Sequence, residues 1–237
     1  MVDVQDQGHA YEQFNRRRVI GVLLCLPLFF YVCFFLPAGT FAWHRGWLFI
    51  LVFLTLETIL ARYLWRTNPE LLIARSHFHK GTKRWDKVLI AFLIPAFIAI
   101  FPIAAFDDGR FHWSEMSGWL CGLGYLLMLG GFGLASWAGR VNKFAEPTVR
   151  IQTDRGHQVI DSGPYAIIRH PMYTACLGIF PGFALALGSY WALLPAWIGC
   201  GILVLRTQWE DQTLQAELHG YLDYTVRVPF KLIPYLW

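Results

Sequence analysis

Charged residues are scarce in this chain, since Asp, Glu, Lys and Arg together make up only 15% of its 237 residues. Soluble domains carry about 25% charged residues, so this sequence lacks the polar side chains that a water-facing surface needs. Hydrophobic residues make up 56% of the chain, and the mean hydropathy is +0.40. The scarcity of charge therefore excludes a soluble globular domain and a disordered chain, and it indicates an integral membrane protein.

Cysteine is scarce as well. The chain has five cysteines, and all of them fall inside apolar runs without the spacing of metal ligands. This excludes a secreted disulfide scaffold and predicts that the protein binds no metal. The net charge is only +4, without a basic strand of interleaved aromatics or a helix-turn-helix pattern, so we expect no nucleic-acid partner.

Continuous apolar runs are what the sequence has instead. A helix needs roughly 20 mostly apolar residues to cross a bilayer, whereas a membrane β-barrel would show alternating hydrophobicity. The pattern predicts an all-α integral membrane protein with about six transmembrane helices, the first of them a retained anchor rather than a cleaved signal peptide. Gly188 and Ser189 separate the last two runs, which are expected to form a helical hairpin. The predicted spans are Val19–Leu36, Trp47–Trp65, Val88–Phe106, Ser117–Gly139, Met172–Leu187 and Tyr190–Leu205.

The basic residues predict the orientation of these spans. With six spans, every basic cluster falls on one face, and the positive-inside rule assigns that face to the cytoplasm together with both termini. The opposite loops hold only Arg45 and Arg110 among acidic residues. The clusters comprise Arg16, Arg17, Arg18, Arg66, Arg75, Lys80, Lys83, Arg84, Lys87, Arg140, Lys143, Arg150, Arg155, Arg169, Arg206, Arg227 and Lys231.

Most of the remaining polar sequence lies in two segments, 140–171 and 206–237, which bracket the predicted hairpin. We therefore divide the chain into four N-terminal spans (1–139) and a C-terminal unit (140–237) with a cytoplasmic cofactor-binding loop, the hairpin and a cytoplasmic C-terminal segment. The hairpin would bring the two polar segments together at one membrane surface. Such a site could take a soluble cofactor from the cytosol and a substrate from the lipid.

Two motifs in this unit carry a family resemblance. The first, GHQVIDSGPYAIIRHPMY, covers residues 156–173, and the second is an Arg-x-x-x-Glu-acidic-x-x-Leu pattern followed by Gly-Tyr and a closing Leu-Ile-Pro. In this order and spacing they resemble the isoprenylcysteine carboxyl methyltransferase family and its bacterial relatives, which include phospholipid N-methyltransferases. The resemblance implies methyl transfer from S-adenosylmethionine, with S-adenosylhomocysteine as product, to a lipophilic or lipid-modified acceptor.

The resemblance also implies which residues bind the cofactor. Arg169 and His170 can donate to its carboxylate, Glu210 can accept from its ammonium group or ribose, and the faces of Tyr165 and Tyr173 suit adenine or the sulfonium. The turn at Gly163 and Pro164 allows a close approach of the backbone. The cofactor-binding residues are predicted to be Gln152, His157, Val159, Ile160, Gly163, Pro164, Tyr165, Arg169, His170, Pro171, Tyr173, Glu210 and Asp211.

Arg206 and Glu210 are the predicted catalytic residues. Arg206 ends the last apolar run, so its guanidinium is expected at the lipid–water boundary, where it would steer an acceptor carboxylate. Glu210 lies one helical turn further on the same face, and an exposed i,i+4 ion pair between the two is the alternative reading. For an amine acceptor, Glu210 or Asp211 could take the proton. Asn142 and Phe144 match an Asn-x-Phe element and join Arg206 as predicted acceptor-binding residues.

Two features of the N-terminal spans complete the prediction. Glu57 lies within the second span, where an acidic side chain is energetically costly. We therefore expect Glu57 to act on the substrate side of the site or in pairing two helices. Arg62 or a tryptophan is its expected partner. The glycine-rich fourth span favours close helix packing. Its glycines are Gly122, Gly124, Gly130, Gly131 and Gly133.

Two other functions remain open from the sequence. The tail from Tyr224 to Tyr235 also resembles the end of sterol reductases, which use NADPH. A non-catalytic scaffold or a transporter is the third possibility, but the chain shows no inverted repeat and few intramembrane charges. The Gly-Pro-Tyr and His-Pro-Met-Tyr elements favour the methyltransferase.

Overall fold

The fold is taken from a computed structural model that describes residues 25–75 and 81–237. All regular structure in these residues is helical, which confirms the prediction of an all-α membrane protein. Residues 19–24 of the first predicted span, and the basic residues Arg16, Arg17, Arg18 and Lys80, lie outside the described residues.

The described part of the chain forms eight helices, which we number α1 to α8, and two short 3₁₀-helices at Thr153–Arg155 and Gly163–Ala166. Two of them contain π-helical turns, α1 at Tyr31–Phe35 and α4 at Ala105–Phe111. The bounds are α1 Cys25–Ala38, α2 His44–Thr67, α3 Pro69–Arg75, α4 Arg84–Phe111, α5 Gly118–Val141, α6 Pro171–Ala186, α7 Leu193–Glu217 and α8 Tyr221–Arg227.

Three of the described helices, α2, α4 and α5, are long and apolar enough to cross a membrane, and α1 and α6 are shorter apolar helices. The sixth predicted run lies in α7, which continues past Leu205 to Glu217 without a break. The residues after Leu205 include Gln, Glu, Leu and Ala, which favour a helix even where they are polar. Helix α7 therefore joins an apolar half to a charged half that extends beyond the predicted span.

Aromatic side chains form the core between the helices. Phe34 of α1 and Phe49 of α2 are fully buried and pack against Phe101 of α4, with ring centroids 5.2 and 6.0 Å from that of Phe101. Phe183 of α6 contacts Phe49 edge to face at 5.0 Å. Because these rings come from four helices, the N-terminal helices and the predicted hairpin share a single core.

Helices α5 and α6 approach each other closely along a line of glycines. A Cβ atom on Gly131 would lie 2.8 Å from the carbonyl oxygen of Ala175, and one on Gly124 would lie 2.8 Å from that of Gly182. A Cβ on Gly122, Gly130 or Gly133 would meet open space. The predicted role of this span in close packing is thus confirmed for Gly124 and Gly131.

The Gly124→Ala variant should lower the stability of the protein, because its Cβ would collide with the backbone of Ala186. Overpacking of this kind costs about 1–3 kcal/mol. The matched variant Gly122→Ala adds the same methyl group on the same helix where nothing lies within 4 Å, so its stability should be unchanged or higher. Thermal unfolding in detergent would compare the two, and equal midpoints would contradict close packing at Gly124.

A polar cluster ties the helices together at the end where α4 finishes and α6 turns into α7. Asp107 accepts hydrogen bonds from the backbone N–H of Ser114, at 2.7 Å, and from the hydroxyl of Ser189 in the α6–α7 turn. Asp108 accepts from the indole N–H of Trp43, at 2.7 Å, and from Arg45 at the start of α2. The loops rich in Arg and Lys lie at the other end of these helices, which we call the site end.

Candidate active site

A cavity of about 550 Å³ lies between α2, α4, α5, α6, α7 and the loop after α5. One part of its wall is polar and comes from the loop, the start of α6 and the charged half of α7. The other part is apolar. The apolar wall includes Phe53, Leu60, Leu93, Phe97, Phe132, Ile179, Phe180, Phe183 and Leu203.

The loop after α5 folds back on itself to form the polar wall. Asn142 follows the last residue of α5, and its side-chain oxygen accepts a hydrogen bond from the N–H of Phe144 at 2.8 Å. The buried amide of Gln152 then donates to the carbonyl of Phe144 at 2.6 Å. Gly156 turns the chain with a positive φ of 61°, a conformation that suits glycine. As a result Asn142, Phe144, Gln152 and His157 all line the cavity.

His157 presents an imidazole ring to the cavity. Its ring packs against Phe144, with centroids 4.7 Å apart, and its Nδ1 faces the backbone N–H of Gln152 at 3.4 Å. Burial lowers the pKa of His157 to about 4, so the ring is neutral at physiological pH. With Nδ1 as acceptor, Nε2 carries the hydrogen and is the ring's donor.

Arg169 and His170 converge on Asp211, which is 1% exposed. The guanidinium of Arg169 donates to both carboxylate oxygens of Asp211, at 2.8 and 3.0 Å, and to the carbonyl of Val228 at 2.7 Å. Nε2 of His170 lies 3.2 Å from the same carboxylate, and the hydroxyl of Tyr221 donates to it at 3.0 Å. Asp211 therefore fixes the orientation of two cavity-lining side chains while lying behind them.

Backbone hydrogen bonds join the two polar segments that bracket the hairpin. The N–H of Arg169 donates to the carbonyl of Phe230, and that of His170 donates to the carbonyl of Lys231, each at 2.9 Å. With the Arg169–Asp211 bonds, these contacts confirm that the α6–α7 hairpin brings the segments together.

Tyr173 connects the other two predicted site residues. Its hydroxyl donates to the carboxylate of Glu210, and the guanidinium of Arg206 lies 5.4 Å from the centroid of its ring. All three side chains line the cavity. The first turn of α6 and the charged half of α7 therefore place a carboxylate, a guanidinium and an aromatic face side by side.

Arg206 forms a buried ion pair that the sequence did not predict. It is 6% exposed, and it donates to both oxygens of Asp86 on α4, at 2.6 and 3.2 Å, rather than pairing with Glu210. It also donates to the carbonyl of Pro147 at 2.6 Å, and Asp86 accepts from the N–H of Val149 at 2.7 Å. The exposed i,i+4 pair with Glu210 is therefore wrong, because the guanidinium of Arg206 is buried and pairs with Asp86 of another helix.

Twelve of the predicted site residues line the cavity, and Gly163, Pro164, Pro171 and Asp211 do not. Gly163 turns the chain with a positive φ of 59° against the side chain of Trp137, and Pro171 is the first residue of α6. The residues at the wall are Asn142, Phe144, Gln152, His157, Val159, Ile160, Tyr165, Arg169, His170, Tyr173, Arg206 and Glu210.

Sequence reasoning missed several charged residues of the site. Asp86 is fully buried, but in the sequence it stands between Trp85 and Lys87 and is hidden in a basic cluster. Arg75, at the end of α3, lines the cavity and donates to the carbonyl of Ala145 at 3.0 Å. An acid at the start of an apolar run was the available signal for Asp86, whereas Arg75 could not be separated from the other basic loop residues.

Glu57 also lines the cavity, and it interacts electrostatically with the guanidinium of Arg75. The prediction named Arg62 or a tryptophan as its partner. Arg75 takes that place because the short helix α3 folds back after Asn68, whose side-chain amide donates to the carbonyl of Gly139 at 2.7 Å.

Comparison with known families adds one finding. Residues 119–218 match the family model described as phospholipid methyltransferase. The match supports a membrane methyltransferase. It covers α5, the site loop, α6 and α7, which is less than half of the chain, and leaves Glu57, Arg75 and Asp86 outside it. The search of curated proteins returned no match.

Proposed function

We propose that the protein transfers a methyl group from S-adenosylmethionine to a lipophilic acceptor. The observation that carries this proposal is the single cavity with a polar wall of Arg169, His170, Tyr173 and Glu210 and an apolar wall of phenylalanine side chains. A polar cofactor and an apolar acceptor must meet in one space for such a reaction. The family match to residues 119–218 supports the same reaction class.

The polar wall fits the chemical groups of S-adenosylmethionine. The guanidinium of Arg169 has N–H groups beyond those that Asp211 and Val228 use, and His170 lies beside it, so the pair can receive a carboxylate. Glu210 accepts one bond from Tyr173 and has capacity for an ammonium or ribose hydroxyl. Tyr165 adds an aromatic face to the same wall. When bound, the cofactor supplies an electrophilic methyl group.

The residues of the protein position the two reactants and supply charged groups beside them. Methyl transfer is a displacement at carbon, so holding the two reactants in line is the main task of the protein. The terminal nitrogen Nη1 of Arg206 has no acceptor among the described residues, which supports a role in orienting the methyl acceptor. We assign Arg206 and Glu210 as catalytic residues and Asn142 and Phe144 as acceptor-side residues.

The orientation in the membrane is part of the proposal. The Arg and Lys residues at the site end support a cytoplasmic site with both termini on that side. A site on the cytoplasmic side would have access to cytosolic S-adenosylmethionine, which agrees with this orientation.

Calorimetry of the purified protein with S-adenosylhomocysteine and with NADPH tests the cofactor. We expect S-adenosylhomocysteine to bind and NADPH not to bind. Binding of NADPH alone would support the reductase and end the methyltransferase proposal. Membranes incubated with methyl-labelled cofactor would then identify the labelled lipid or amphiphile.

The His170→Ala and Glu210→Ala variants should each weaken S-adenosylhomocysteine binding by about tenfold or more, because each removes a polar contact worth at least about 1.4 kcal/mol to a charged ligand. Arg206→Ala should keep most of the affinity but lose turnover. Calorimetry and a methyl-transfer assay on the same preparations separate the two effects. Full turnover in the Arg206 variant would remove this residue from the site.

A further inference from the structure

Arg75 is the last residue of helix α3, and it lines the cavity. Its Nε donates to the carbonyl of Ala145 at 3.0 Å, which attaches the guanidinium to the loop of the polar wall. Helix α3 is itself held in place, because Asn68 just before it donates to the carbonyl of Gly139 at 2.7 Å and Leu71 is fully buried. The guanidinium of Arg75 therefore has a defined position on the cavity wall, although it comes from the N-terminal part of the chain.

The other guanidiniums of the cavity wall are paired with carboxylates. Two opposite charges at hydrogen-bond distance largely cancel each other's field at a ligand. Such a pair can still donate hydrogen bonds, but it adds little net positive charge to the cavity. The pairs are Arg150 with Glu146 at 2.8 Å, Arg169 with Asp211 at 2.8 Å, and Arg206 with Asp86 at 2.6 Å.

Arg75 differs from these three arginines. It forms no ion pair within the described part of the chain, and the carbonyl of Ala145 is the one acceptor there for its guanidinium. Glu57 on α2 interacts with it electrostatically, but the two side chains do not form an ion pair. Both terminal nitrogens of Arg75 can therefore bind a ligand in the cavity, and the fork that they form matches the two oxygens of a carboxylate.

Glu210 supplies the opposite charge in the same part of the cavity. Tyr165 and Tyr173 each interact electrostatically with both Glu210 and Arg75. The amino-acid part of S-adenosylmethionine carries an ammonium group and a carboxylate on the same carbon atom. Glu210 has capacity for the ammonium group, and Arg75 is the positive charge available for the carboxylate.

We propose that Arg75 binds the carboxylate of S-adenosylmethionine through its two terminal nitrogens. This inference rests on the proposed function and adds to the cofactor site a residue that lies outside the family match. Arg169 and His170 remain hydrogen-bond donors of the polar wall, whereas Arg75 supplies the positive charge that balances the carboxylate. Because Arg75 belongs to α3, the N-terminal part of the chain contributes directly to cofactor binding.

The test compares S-adenosylhomocysteine with its decarboxylated analogue, in which a hydrogen atom replaces the carboxylate. Calorimetry of the purified full-length protein in detergent should show S-adenosylhomocysteine binding to the wild type at least about tenfold tighter than the analogue. Arg75→Gln should remove this preference by weakening only the binding of S-adenosylhomocysteine. Arg75→Lys keeps the charge but not the planar fork, so it should retain part of the preference.

Arg66→Gln is the matched control, because it removes an exposed positive charge from the last turn of α2 that does not line the cavity. Both affinities should stay unchanged in this variant. An equal loss of both affinities in Arg75→Gln would give Arg75 a purely structural role and overturn the inference, as would an unchanged preference or a wild type that binds both ligands equally. In these cases only the inference fails. If the wild type binds neither ligand, the proposed function fails with it.

Discussion

Asp211→Asn should weaken S-adenosylhomocysteine binding by about tenfold or more and also lower the stability of the protein by about 3–5 kcal/mol. Asp211 does not line the cavity, but it holds Arg169 through two hydrogen bonds and lies 3.2 Å from His170. Without its charge, Arg169 becomes a buried cation with no carboxylate partner, and both side chains lose the contact that orients them. Calorimetry at a temperature where the variant is folded measures the affinity, and thermal unfolding measures the stability.

Gln215→Ala is the matched control for this prediction. Gln215 donates to Asp211 at 2.7 Å, so the variant removes a hydrogen bond from the same carboxylate and leaves the Arg169 contacts in place. Its affinity should stay close to that of the wild type. If Asp211→Asn lost stability but kept full affinity, Asp211 would have a purely structural role.

Removing the Asp86–Arg206 pair should have the second large effect. Asp86→Asn leaves Arg206 buried and without a carboxylate partner, which typically costs about 3–5 kcal/mol of stability, and it weakens the attachment of the 147–149 loop segment that contacts both residues. Turnover should fall as far as in an Arg206 variant, while S-adenosylhomocysteine affinity is largely retained. Thermal unfolding, calorimetry and methyl transfer on one preparation measure the three quantities.

A double-mutant cycle with Asp86→Ala and Arg206→Ala gives the coupling energy of this pair. The exposed pair Lys83–Glu217 provides the comparison, because it joins the residue before α4 to the end of α7 at 2.6 Å. Its coupling energy should be below about 1 kcal/mol. Similar coupling energies for the two pairs would contradict the importance of burial for Arg206.

The sequence predicted the six longer helices well because each contains an apolar run, whereas it predicted their ends less well and did not predict the short helices α3 and α8. Helix α7 shows the reason: hydropathy falls at Arg206, but the backbone hydrogen bonds continue to Glu217 because polar residues there also favour a helix. The motif residues on the polar wall were predictable, since they lie within two short segments.

Residues that reach the site from distant helices were not predictable in the same way. Asp86 contacts Arg206 across 120 residues, and local spacing contains no information about such a pair. Glu57 stood out because an acid in an apolar run is unusual, but its neighbour Arg75 could be identified only from the fold. The motif included Asp211 among the site residues, but its position behind Arg169 and His170 depends on how α7 packs.

The long separation between Asp86 and Arg206 has a consequence for biosynthesis. At a synthesis rate of roughly 5–20 residues per second, the 120 residues between them take roughly 6–24 s to appear. During that interval Asp86 lacks the guanidinium with which it pairs in the folded protein, so we expect the start of α4 to stay hydrated. The cavity wall can therefore close only after α7 has been synthesised. Pairing of Arg206 with Asp86 is thus a late step in the assembly of the site.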